Sequence, residues 1–411
     1  MNYEEFKEKV TSYGQDHLLN LYERLDDEGK EKLLNQIEKI DFGLVKDLFE
    51  LTKKKIESKD FKIQSIDACD ANLLTEEEKN RYIEIGTKAI KEGKTAVVMM
   101  AGGQGTRLGF DGPKGTFDFG LDNHMSIFET YAVQFKKARD EFGVSVPWYI
   151  MTSRENDKAT NDFFEAHNYF GYKEGIKTFI QNELPMLDEQ GKLIVDKNGL
   201  VKEAANGHGG TFDAIVSNKI LDEFKEKNIE LILTCNVDNI LCKMVDPLAV
   251  GYVMANNFLA TSISCFKGNP DERIGVLCLK DDIPGVIEYT EIPDDIRYAK
   301  KENGEPLLSE GHINVNYFSV KLIEEVAKEQ LPYHVAHKKS DIVDVNGNVI
   351  VPDEPNAYKF EMFIFDAFER LDRLGVLRYK REECFAPIKN ATGVDSPETA
   401  RELYKKFHGI S

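Results

Sequence analysis

A glycine-rich segment, AGGQGTRLGFDGPKG (residues 101–115), carries the residue types best suited to bind phosphate groups. It continues the apolar run VVMM and contains two fixed cations, Arg107 and Lys114. Glycines let backbone N–H groups approach phosphate oxygens, which a Cβ atom would obstruct. A triphosphate carries about four negative charges, so two cations and a divalent metal together would match it. The segment therefore predicts a triphosphate-binding loop, with a plain glycine turn as the alternative interpretation.

The spacing of the glycines argues against the two commonest phosphate loops. A Walker A motif ends in Lys followed by Ser or Thr, whereas Lys114 is followed by Gly115. The dinucleotide fingerprint G-x-G-x-x-G fails as well, because Gly109 comes one residue too late after Gly103 and Gly105. The loop therefore belongs to a different class of phosphate-binding site.

A carboxylate follows a second apolar run. Asp238 stands in the sequence NVDN, directly after LILTC. In an open α/β sheet, ligands bind outside the carboxyl ends of the strands. A carboxylate at that position can hold Mg²⁺ against a phosphate, whereas the alternative is an Asn/Asp turn or a helix cap. We therefore expect Asp238 to be the metal ligand, with Mg²⁺ as the cofactor and Mn²⁺ as a second choice.

The elements that must position these residues are buried strands alternating with helices. Continuously apolar strands separated by helices predict a mostly parallel α/β sheet. The predicted strands are TAVVMM, WYIMT, TFIQ, IELILTC and ATSISCF, and the predicted helices cover residues 126–142, 154–166, 211–226 and 247–256. Three later runs, RIGVLCL, GVIEYTEI and HINVNYFSV, indicate antiparallel strands. KFEMFIFDAFERLDRL predicts a helix, and VLRYKREECFAPIK predicts an extended segment.

The first part of the chain is typical of packed helices. Apolar residues recur at helical spacing on both sides of the break at Asp26–Gly29, and Thr75 with Glu78 predicts a capping box. The predicted organisation is a helical lobe (1–92), a central α/β domain (93–330) and a C-terminal segment (331–411).

Composition limits the possible partners. The 411 residues carry a net charge of −19, which disfavours nucleic acids and anionic membranes. No apolar run reaches the roughly 20 residues of a membrane span, and the acidic N-terminus is unlike a signal peptide. The six cysteines form no C-x-x-C pair, so we expect reduced thiols. The expectation is a cytoplasmic protein, monomeric or weakly oligomeric, without nucleic-acid or membrane partners.

The complete glycine-rich segment resembles the signature of sugar nucleotidyltransferases, which join a nucleoside triphosphate to a sugar 1-phosphate. Further segments resemble eukaryotic-type UDP-N-acetylglucosamine pyrophosphorylases, in that family's order. They are GQDHLLNLYERLD, QNELPML, GHGGTFDAI, CNVDNILCKMVDP, GVIEYTEI, FIFDAF and FAPIKNATG, and they cover roughly residues 14 to 395. The chain is identified as a member of the UDP-sugar pyrophosphorylase family.

The resemblance implies a Rossmann-like, GT-A-like nucleotidyltransferase fold and a uridylyl transfer from UTP to a hexose 1-phosphate. The products would be a UDP-sugar and pyrophosphate. A sugar-phosphate oxygen attacks the α-phosphorus in line, so the protein supplies positioning and charge neutralisation. The implied catalytic residues are Arg107, Lys114 and Lys389.

The same resemblance implies the binding residues. Those for the nucleotide are Ala101, Gly102, Gly103, Gly105, Thr106, Gln181, Gly207 and His208. Those for the sugar are Gly275, Glu288, Asn314, Asn316, Phe363 and Phe365. The side-chain amide of Gln181 offers the paired donor and acceptor that uracil needs. Glu288 can accept two hydroxyl bonds, whereas the alternate spacing of Phe363 and Phe365 also suits a core.

Two departures from the family pattern leave the sugar open. His208 stands where the family commonly has Asn, and HINVNYF replaces a segment like NICNHFF, so Asn314 and Asn316 compete for one role. N-acetylglucosamine 1-phosphate is the preferred sugar substrate, and glucose 1-phosphate is the alternative.

Two other classes of function are less consistent with the sequence. A non-catalytic nucleotide-binding regulator would need the loop, but it would not need Asp238 and Lys389 together. An NAD-dependent oxidoreductase is disfavoured by the glycine spacing.

Overall fold

The structure is a computed structural model, and it describes residues 1–54, 61–343 and 348–410. Helices and strands of these ranges are numbered in chain order. The helices are α1 (Tyr3–Ser12), α2 (His17–Tyr22), α3 (Asp27–Lys39), α4 (Phe42–Lys53), α5 (Glu76–Lys91), α6 (Ile127–Phe142), α7 (Asp157–Ala166), α8 (Thr211–Ser217), α9 (Ile220–Glu226), α10 (Pro247–Ala255), α11 (Asp294–Arg297), α12 (Val320–Lys328), α13 (Arg381–Cys384) and α14 (Pro397–His408). The strands are β1 (Ile63–Ser65), β2 (Cys69–Asp70), β3 (Thr95–Met100), β4 (Trp148–Thr152), β5 (Ile176–Ile180), β6 (Glu183–Pro185), β7 (Leu187–Asp188), β8 (Glu203–Ala205), β9 (Leu231–Asn236), β10 (Ala260–Phe266), β11 (Val276–Lys280), β12 (Ile283–Ile287), β13 (Glu310–Ser319), β14 (His334–Lys338), β15 (Ile342–Val343), β16 (Val349–Ile350), β17 (Ala357–Glu361) and β18 (Gly375–Arg378).

The chain packs into two compact units. The larger unit comprises Asp60–Gln181, Thr211–Gln330 and Ile364–Ser411, and the smaller unit comprises Met1–Lys59, Asn182–Gly210 and Leu331–Phe363. The predicted division into a helical lobe, a central domain and a C-terminal segment stays a prediction. Helix α5, which falls in the predicted helical lobe, lies in the larger unit and packs on α10. Gly86 makes this packing close, because a Cβ atom there would lie 1.9 Å from the carbonyl oxygen of Pro247.

The larger unit is built on a mixed, mostly parallel sheet. Its strands run in the order β2-β18-β10-β13-β9-β3-β4-β5, and β13 is antiparallel to both of its neighbours in this order. The other neighbouring pairs are parallel. Strands β1, β11 and β12 extend the sheet through antiparallel pairs. The predicted α/β sheet is thus confirmed.

The strand order creates a crevice between β3 and β9. The chain leaves β3 toward β4 and β5 on one side, and β9 pairs with β3 on the other side, with Met100 opposite Asn236. Loops after such neighbouring strands diverge at the carboxyl edge, where ligands bind in open α/β sheets. The glycine-rich segment follows β3 and Asp238 follows β9, so both stand at this crevice.

Helix α6 packs on the sheet through large aromatic side chains. Ser126 caps the helix by accepting a hydrogen bond from the Glu129 amide. Phe128, Tyr131 and Phe135 of the helix are fully buried, and their rings pack around Trp148 of β4. These large rings bury much apolar area, so they fix the helix firmly on the sheet.

The smaller unit has its own helical core. Helices α1 to α4 bury an apolar face that includes Phe6, Leu18, Leu33 and Phe42, and Phe360 of β17 joins this cluster. Strands β14, β17 and β7 form an antiparallel sheet, and β6 pairs with β8. The apolar helical spacing of the N-terminal sequence accounts for these contacts.

Several predicted elements differ from the structure. KFEMFIFDAFERLDRL is not a helix, because its first residues form β17 and residues Ile364–Arg370 form a 3-10 helix. The segment predicted as extended contains the short helix α13 after β18. The helix predicted at 211–226 is broken into α8 and α9, since Lys219 adopts a left-handed φ of 59°. In the described ranges, no helix is both long and apolar enough to span a bilayer.

Candidate active site

The glycine-rich segment is a hydrogen-bonded loop rather than a simple turn. Ala101 is fully buried, and its amide donates to the Met151 carbonyl at 2.8 Å. The Lys114 amide donates to the Gly103 carbonyl at 3.1 Å, and the Gly105 amide donates to the Gly112 carbonyl at 2.9 Å. The last two bonds join the first half of the loop to the second half, and the first bond ties the loop to β4. The other N–H groups of the loop backbone are therefore held in a fixed arrangement.

The predicted nucleotide-binding glycines differ in their surroundings. A Cβ atom at Gly102 would lie 3.3 Å from both the Gln181 side-chain oxygen and the Ser153 amide nitrogen. A Cβ atom at Gly103 would have no neighbour within 4 Å, and Gly103 is exposed. The structure therefore brings Gln181 beside the loop and leaves open space next to Gly103, where a ligand can approach the backbone.

Asn156, which belongs to none of the sequence motifs, supports the loop through hydrogen bonds to its backbone. Its side chain is fully buried, and its Nδ2 donates to the carbonyls of Ala101 at 2.9 Å and Gly103 at 3.4 Å. Its Oδ1 accepts from the Ser153 amide at 2.8 Å. The only available signal was its place after WYIMT, at the same edge of the sheet as the loop.

Lys114 and Asp238 form an ion pair at the crevice. The Lys114 Nζ lies 3.1 Å from the Asp238 Oδ2, and the two side chains are 15 % and 16 % exposed. Arg107 lies in the 3-10 helix Thr106–Leu108, is exposed, and has no ion-pair partner among residues of the described ranges. One predicted phosphate-binding cation and the predicted metal ligand are thus brought together, and the second predicted cation, Arg107, is exposed to solvent.

The residue before Lys389 contacts Asp238 through its backbone, whereas Lys389 itself bonds to Asp395. The amide of Ile388 donates to the Asp238 carbonyl at 3.0 Å. The Lys389 Nζ, however, lies 3.7 Å from Asp395, and the Lys389 amide donates to the Asp395 carbonyl at 2.6 Å. The Lys389 ammonium is therefore paired with Asp395, whereas Asp238 is paired with Lys114.

Gly275 and Glu288, both predicted to meet the sugar, lie side by side. A Cβ atom at Gly275 would lie 3.3 Å from the Glu288 Oε1, and the Gly275 carbonyl accepts from the His312 amide at 2.8 Å. Burial raises the pKa of Glu288, the charge of Glu291 raises it further, and Lys280 and Lys389 oppose the shift. The carboxyl is thus held in a partly desolvated position that suits hydrogen bonding to hydroxyls.

The structure distinguishes Asn314 from Asn316. Asn316 is fully buried, and its Oδ1 accepts from the Ser262 hydroxyl at 2.8 Å and lies 3.3 Å from the His312 Nε2. Asn314 is only half-buried, has a φ of 54° at an irregularity in β13, and donates to the Asn236 Oδ1 at 3.1 Å. The Asn314 Oδ1 also accepts from the Asn316 Nδ2 at 3.3 Å, and of the two amides Asn314 is the more exposed.

The two predicted phenylalanines belong to different units. Phe365, in the larger unit, is 7 % exposed and meets the His312 ring edge-on at a centroid distance of 5.6 Å. Phe363, in the smaller unit, stacks on the rings of His208 at 5.4 Å and His334 at 4.4 Å. Both phenylalanine rings thus pack against other rings. Such packing agrees with the alternative prediction that these two residues belong to a core.

Gly207 and His208 form part of a tight loop in the smaller unit. Gly207 has a φ of +80°, and a Cβ atom there would lie 2.5 Å from the Met362 carbonyl oxygen. The Gly209 amide donates to that same oxygen at 2.7 Å. Loss of solvation and the nearby His334 lower the pKa of His208 to about 4. The imidazole is therefore neutral at physiological pH, so it can offer a ligand hydrogen bonds but no positive charge.

Known proteins resemble this chain along most of its length. A sequence model of the family described as UTP–glucose-1-phosphate uridylyltransferase matches residues 45–395. The UDP-N-acetylglucosamine pyrophosphorylase of Saccharomyces cerevisiae is 35% identical, over 98% of this chain and 89% of its own length. UDP-N-acetylglucosamine diphosphorylase 2 of Arabidopsis thaliana is 30% identical, over 98% of this chain and 83% of its own.

A solved structure is similar as well. The uridine diphosphate N-acetylglucosamine pyrophosphorylase of Trypanosoma brucei, crystallised with an inhibitor, superposes with a TM-score of 0.81 at 27% identity. The match covers 96% of this chain and 83% of that one. The predicted nucleotidyltransferase fold is thus confirmed.

Proposed function

This chain belongs to the UTP–glucose-1-phosphate uridylyltransferase family, and from that membership we propose that it transfers the uridylyl group of UTP to a hexose 1-phosphate. The products are a UDP-sugar and pyrophosphate. The observation that carries the proposal is the Lys114–Asp238 pair at the crevice between β3 and β9. The pair places one fixed cation and one carboxylate beside the glycine-rich loop, whose backbone at Gly103 is exposed to solvent.

The protein's task in this reaction is to hold phosphates and neutralise their charge. Amides of the glycine-rich loop approach the triphosphate beside Gly103, and Arg107 and Lys114 supply positive charge. Fixed donors aimed at charge that develops in the transition state are worth roughly 10²–10³-fold in rate for each group. Lys389 adds a third cation once its ammonium leaves Asp395, which stands 3.7 Å away.

Asp238 is the residue that would hold Mg²⁺. Its carboxylate oxygens are hard ligands, and Mg²⁺ is usually bound by one or two carboxylates together with substrate phosphates. The described residues contain no group of three or more His, Cys, Asp or Glu arranged as a metal site, so a bound ion would depend on the nucleotide for further ligands. When bound, the ion would neutralise phosphate charge. Lys114, 3.1 Å from Asp238, would donate hydrogen bonds to a phosphate oxygen.

N-acetylglucosamine 1-phosphate is the proposed sugar. The similar proteins from yeast and Arabidopsis are named for N-acetylglucosamine, although the family description names glucose. Glu288 beside Gly275 can accept hydroxyl bonds, and Asn314, the more exposed of the two asparagines, can meet the acetamido group. Glucose 1-phosphate, which carries a hydroxyl at C2 instead, is the second candidate, favoured by His208 at a position where Asn is usual.

One assay tests both parts of the proposal. Pyrophosphate release is measured with each of UTP, ATP, GTP and CTP against the 1-phosphates of N-acetylglucosamine, glucose and N-acetylgalactosamine. We expect turnover with UTP and N-acetylglucosamine 1-phosphate, and a kcat/KM at least roughly tenfold lower with glucose 1-phosphate. A preference for glucose would overturn the sugar assignment alone. Binding of UTP without turnover on any sugar would overturn the enzymatic assignment and favour a regulator.

A further inference from the structure

Asn239, the residue after Asp238, ties two distant parts of the larger unit together. It is 2 % exposed, so its amide has no access to solvent. Its Nδ2 donates to the Cys384 carbonyl at 2.8 Å, and its Oδ1 accepts from the Ala386 amide at 2.9 Å. A single side chain thus satisfies a buried acceptor and a buried donor on the segment that leads to Lys389.

The side of this contact that carries Asp238 is itself held in place. The hydroxyl of Tyr131, in helix α6, donates to the carbonyls of Asn239 at 2.6 Å and Val237 at 3.2 Å. Tyr131 is fully buried against the sheet. The turn from Val237 to Asn239 is therefore fixed, and the Asn239 amide extends from a rigid base.

The side that carries Lys389 is held by further contacts with the same turn and with the core. The Ile240 amide donates to the Ala386 carbonyl at 3.3 Å, and Cys384, Phe385 and Ile388 are buried in the core cluster. The Ile388 amide donates to the Asp238 carbonyl, which continues the contact begun by Asn239. Beyond it, the Lys389 side chain lies 3.7 Å from Asp395 and 5.5 Å from the centroid of the Phe385 ring, and its charge also acts on Glu288. Where Lys389 stands relative to Asp238 therefore depends on how residues 384–388 are held.

We propose that Asn239 is a positioning residue that fixes the Lys389 segment (residues 384–389) against the Asp238 turn, so that Lys389 can reach the phosphates. The proposal rests on the proposed function for its effect on turnover, but the positioning itself is a property of the fold. Loss of the amide leaves two buried backbone groups unpaired, and the segment must shift to find other partners. A displacement of about 1 Å at a reacting centre can cost on the order of 10²-fold in rate.

A double-mutant cycle on kcat/KM tests whether Asn239 acts through Lys389. The four proteins are wild type, Asn239→Ala, Lys389→Ala and the double variant. We expect Asn239→Ala to lower kcat/KM roughly 10–100-fold in the wild-type background, but less than about threefold when Lys389 is already absent. An equal loss in both backgrounds means that Asn239 does not act through Lys389, and it would overturn the proposal.

Asn156 provides a matched control. It is also a buried asparagine that bonds backbone groups on both sides, but it supports the glycine-rich loop. Asn156→Ala should lower activity by the same factor with and without Lys389. Non-additivity of the same size for Asn156 would show that the cycle reports general loosening of the site, and the proposal would fail.

Hydrogen exchange gives a readout that needs no turnover. Mass spectrometry of the wild-type protein should show slow exchange of the amides at 384–386 and 388, and Asn239→Ala should speed it while leaving the glycine-rich loop unchanged. Unchanged exchange at 384–388 would overturn the positioning role. An inactive wild type would instead refute the proposed function, so the two failures are distinguishable.

A second variant covers the case in which Asn239→Ala does not fold. Asn239→Ser keeps a hydroxyl that can satisfy one of the two backbone groups, but not both. Its loss of activity should again depend on Lys389, with a smaller factor than for alanine. A serine variant with wild-type activity and wild-type exchange would contradict the proposal.

Discussion

The ammonium of Lys114 lies 3.1 Å from the carboxylate of Asp238, although 124 residues separate them in the chain. The two meet because β3 and β9 are paired in parallel, so that the loops after them leave the same edge of the sheet. Each charge compensates the other while both are largely buried. Substitution of either residue therefore removes one partner of a defined ion pair, and its effect on activity tests the predicted role of that residue.

Replacement of Lys114 by alanine should lower kcat/KM with UTP on the order of 10²-fold or more, because a cation that faces the transition-state charge is lost. Steady-state kinetics of pyrophosphate release measure this effect. Lys32→Ala is the control, since Lys32 is an exposed lysine paired with Glu28 on a helix surface. A Lys114 variant within a few-fold of wild type would refute the assignment of the loop.

Asp238→Asn should fold normally but lose most activity at saturating Mg²⁺, because the amide keeps the shape of the side chain without its charge. Thermal unfolding and kinetics together separate the two effects. In wild type, EDTA should abolish turnover, and added Mg²⁺ or Mn²⁺ should restore it. If the Asn variant unfolds, or if it works well, the carboxylate has a structural role instead.

Gly103→Ala should leave the free energy of unfolding within about 0.5 kcal/mol of wild type, because a Cβ atom there meets no protein atom within 4 Å. The same Cβ atom would occupy space that the phosphates need, so kcat/KM with UTP should fall at least roughly tenfold. Gly268→Ala, at another exposed glycine with a negative φ, is the matched control. Equal kinetics for the two variants would place the phosphates elsewhere.

Asn314→Ala and Asn316→Ala should have different consequences. Asn314 is the more exposed of the two, so its loss should raise the KM for the sugar phosphate and change the stability less. Asn316 is fully buried and accepts from the Ser262 hydroxyl, so its loss should destabilise the fold by about 1–3 kcal/mol. Kinetics and urea unfolding of both variants measure the contrast. A reversed pattern would assign the sugar contact to Asn316.

His208 should make the smaller unit sensitive to mild acid. Its pKa in the folded protein is lowered to about 4, below the ordinary value near 6.5 of an unfolded chain. The unfolded state therefore binds more protons between these values, and the stabilisation present above pH 6.5 is lost as the pH falls toward 4.

Between pH 7.5 and pH 5, wild type should thus lose up to about 2 kcal/mol more stability than His208→Asn. Urea unfolding followed by circular dichroism at the two pH values measures the difference. Identical losses in the two proteins would mean that the imidazole is not desolvated.

The sequence predicted the central strands well where apolar residues run without interruption. Strands β3, β4 and β10 coincide with TAVVMM, WYIMT and ATSISCF because such runs are buried on both faces of a sheet. The helix predicted for KFEMFIFDAFERLDRL was wrong, because the spacing of its apolar residues suits a strand as well as a helix. Its first residues form β17 because β14 lies beside them, and pairing with a distant segment leaves no local signal.

The residues that support the site were harder to predict than those that face it. The glycines, Lys114 and Asp238 belong to motifs with a recognisable chemistry. Asn156 and Asn239 act through bonds to backbone groups of other segments, and in the case of Asn239 the partners lie 145 and 147 residues away. Any buried asparagine can make such bonds, so only the fold shows which ones do.

Strand β18 completes one side of the sheet late in the synthesis of the chain. This strand lies between β10 and β2, with Leu377 opposite Ile263 on one side and opposite Cys69 on the other. A ribosome synthesises β2 and β10 long before β18, so a nascent chain carries β10 with one edge unpaired until residue 378 has emerged. Unpaired edges of this kind promote aggregation. Chains that terminate before β18 should therefore accumulate in inclusion bodies or bind chaperones, even though every residue of the glycine-rich loop is present.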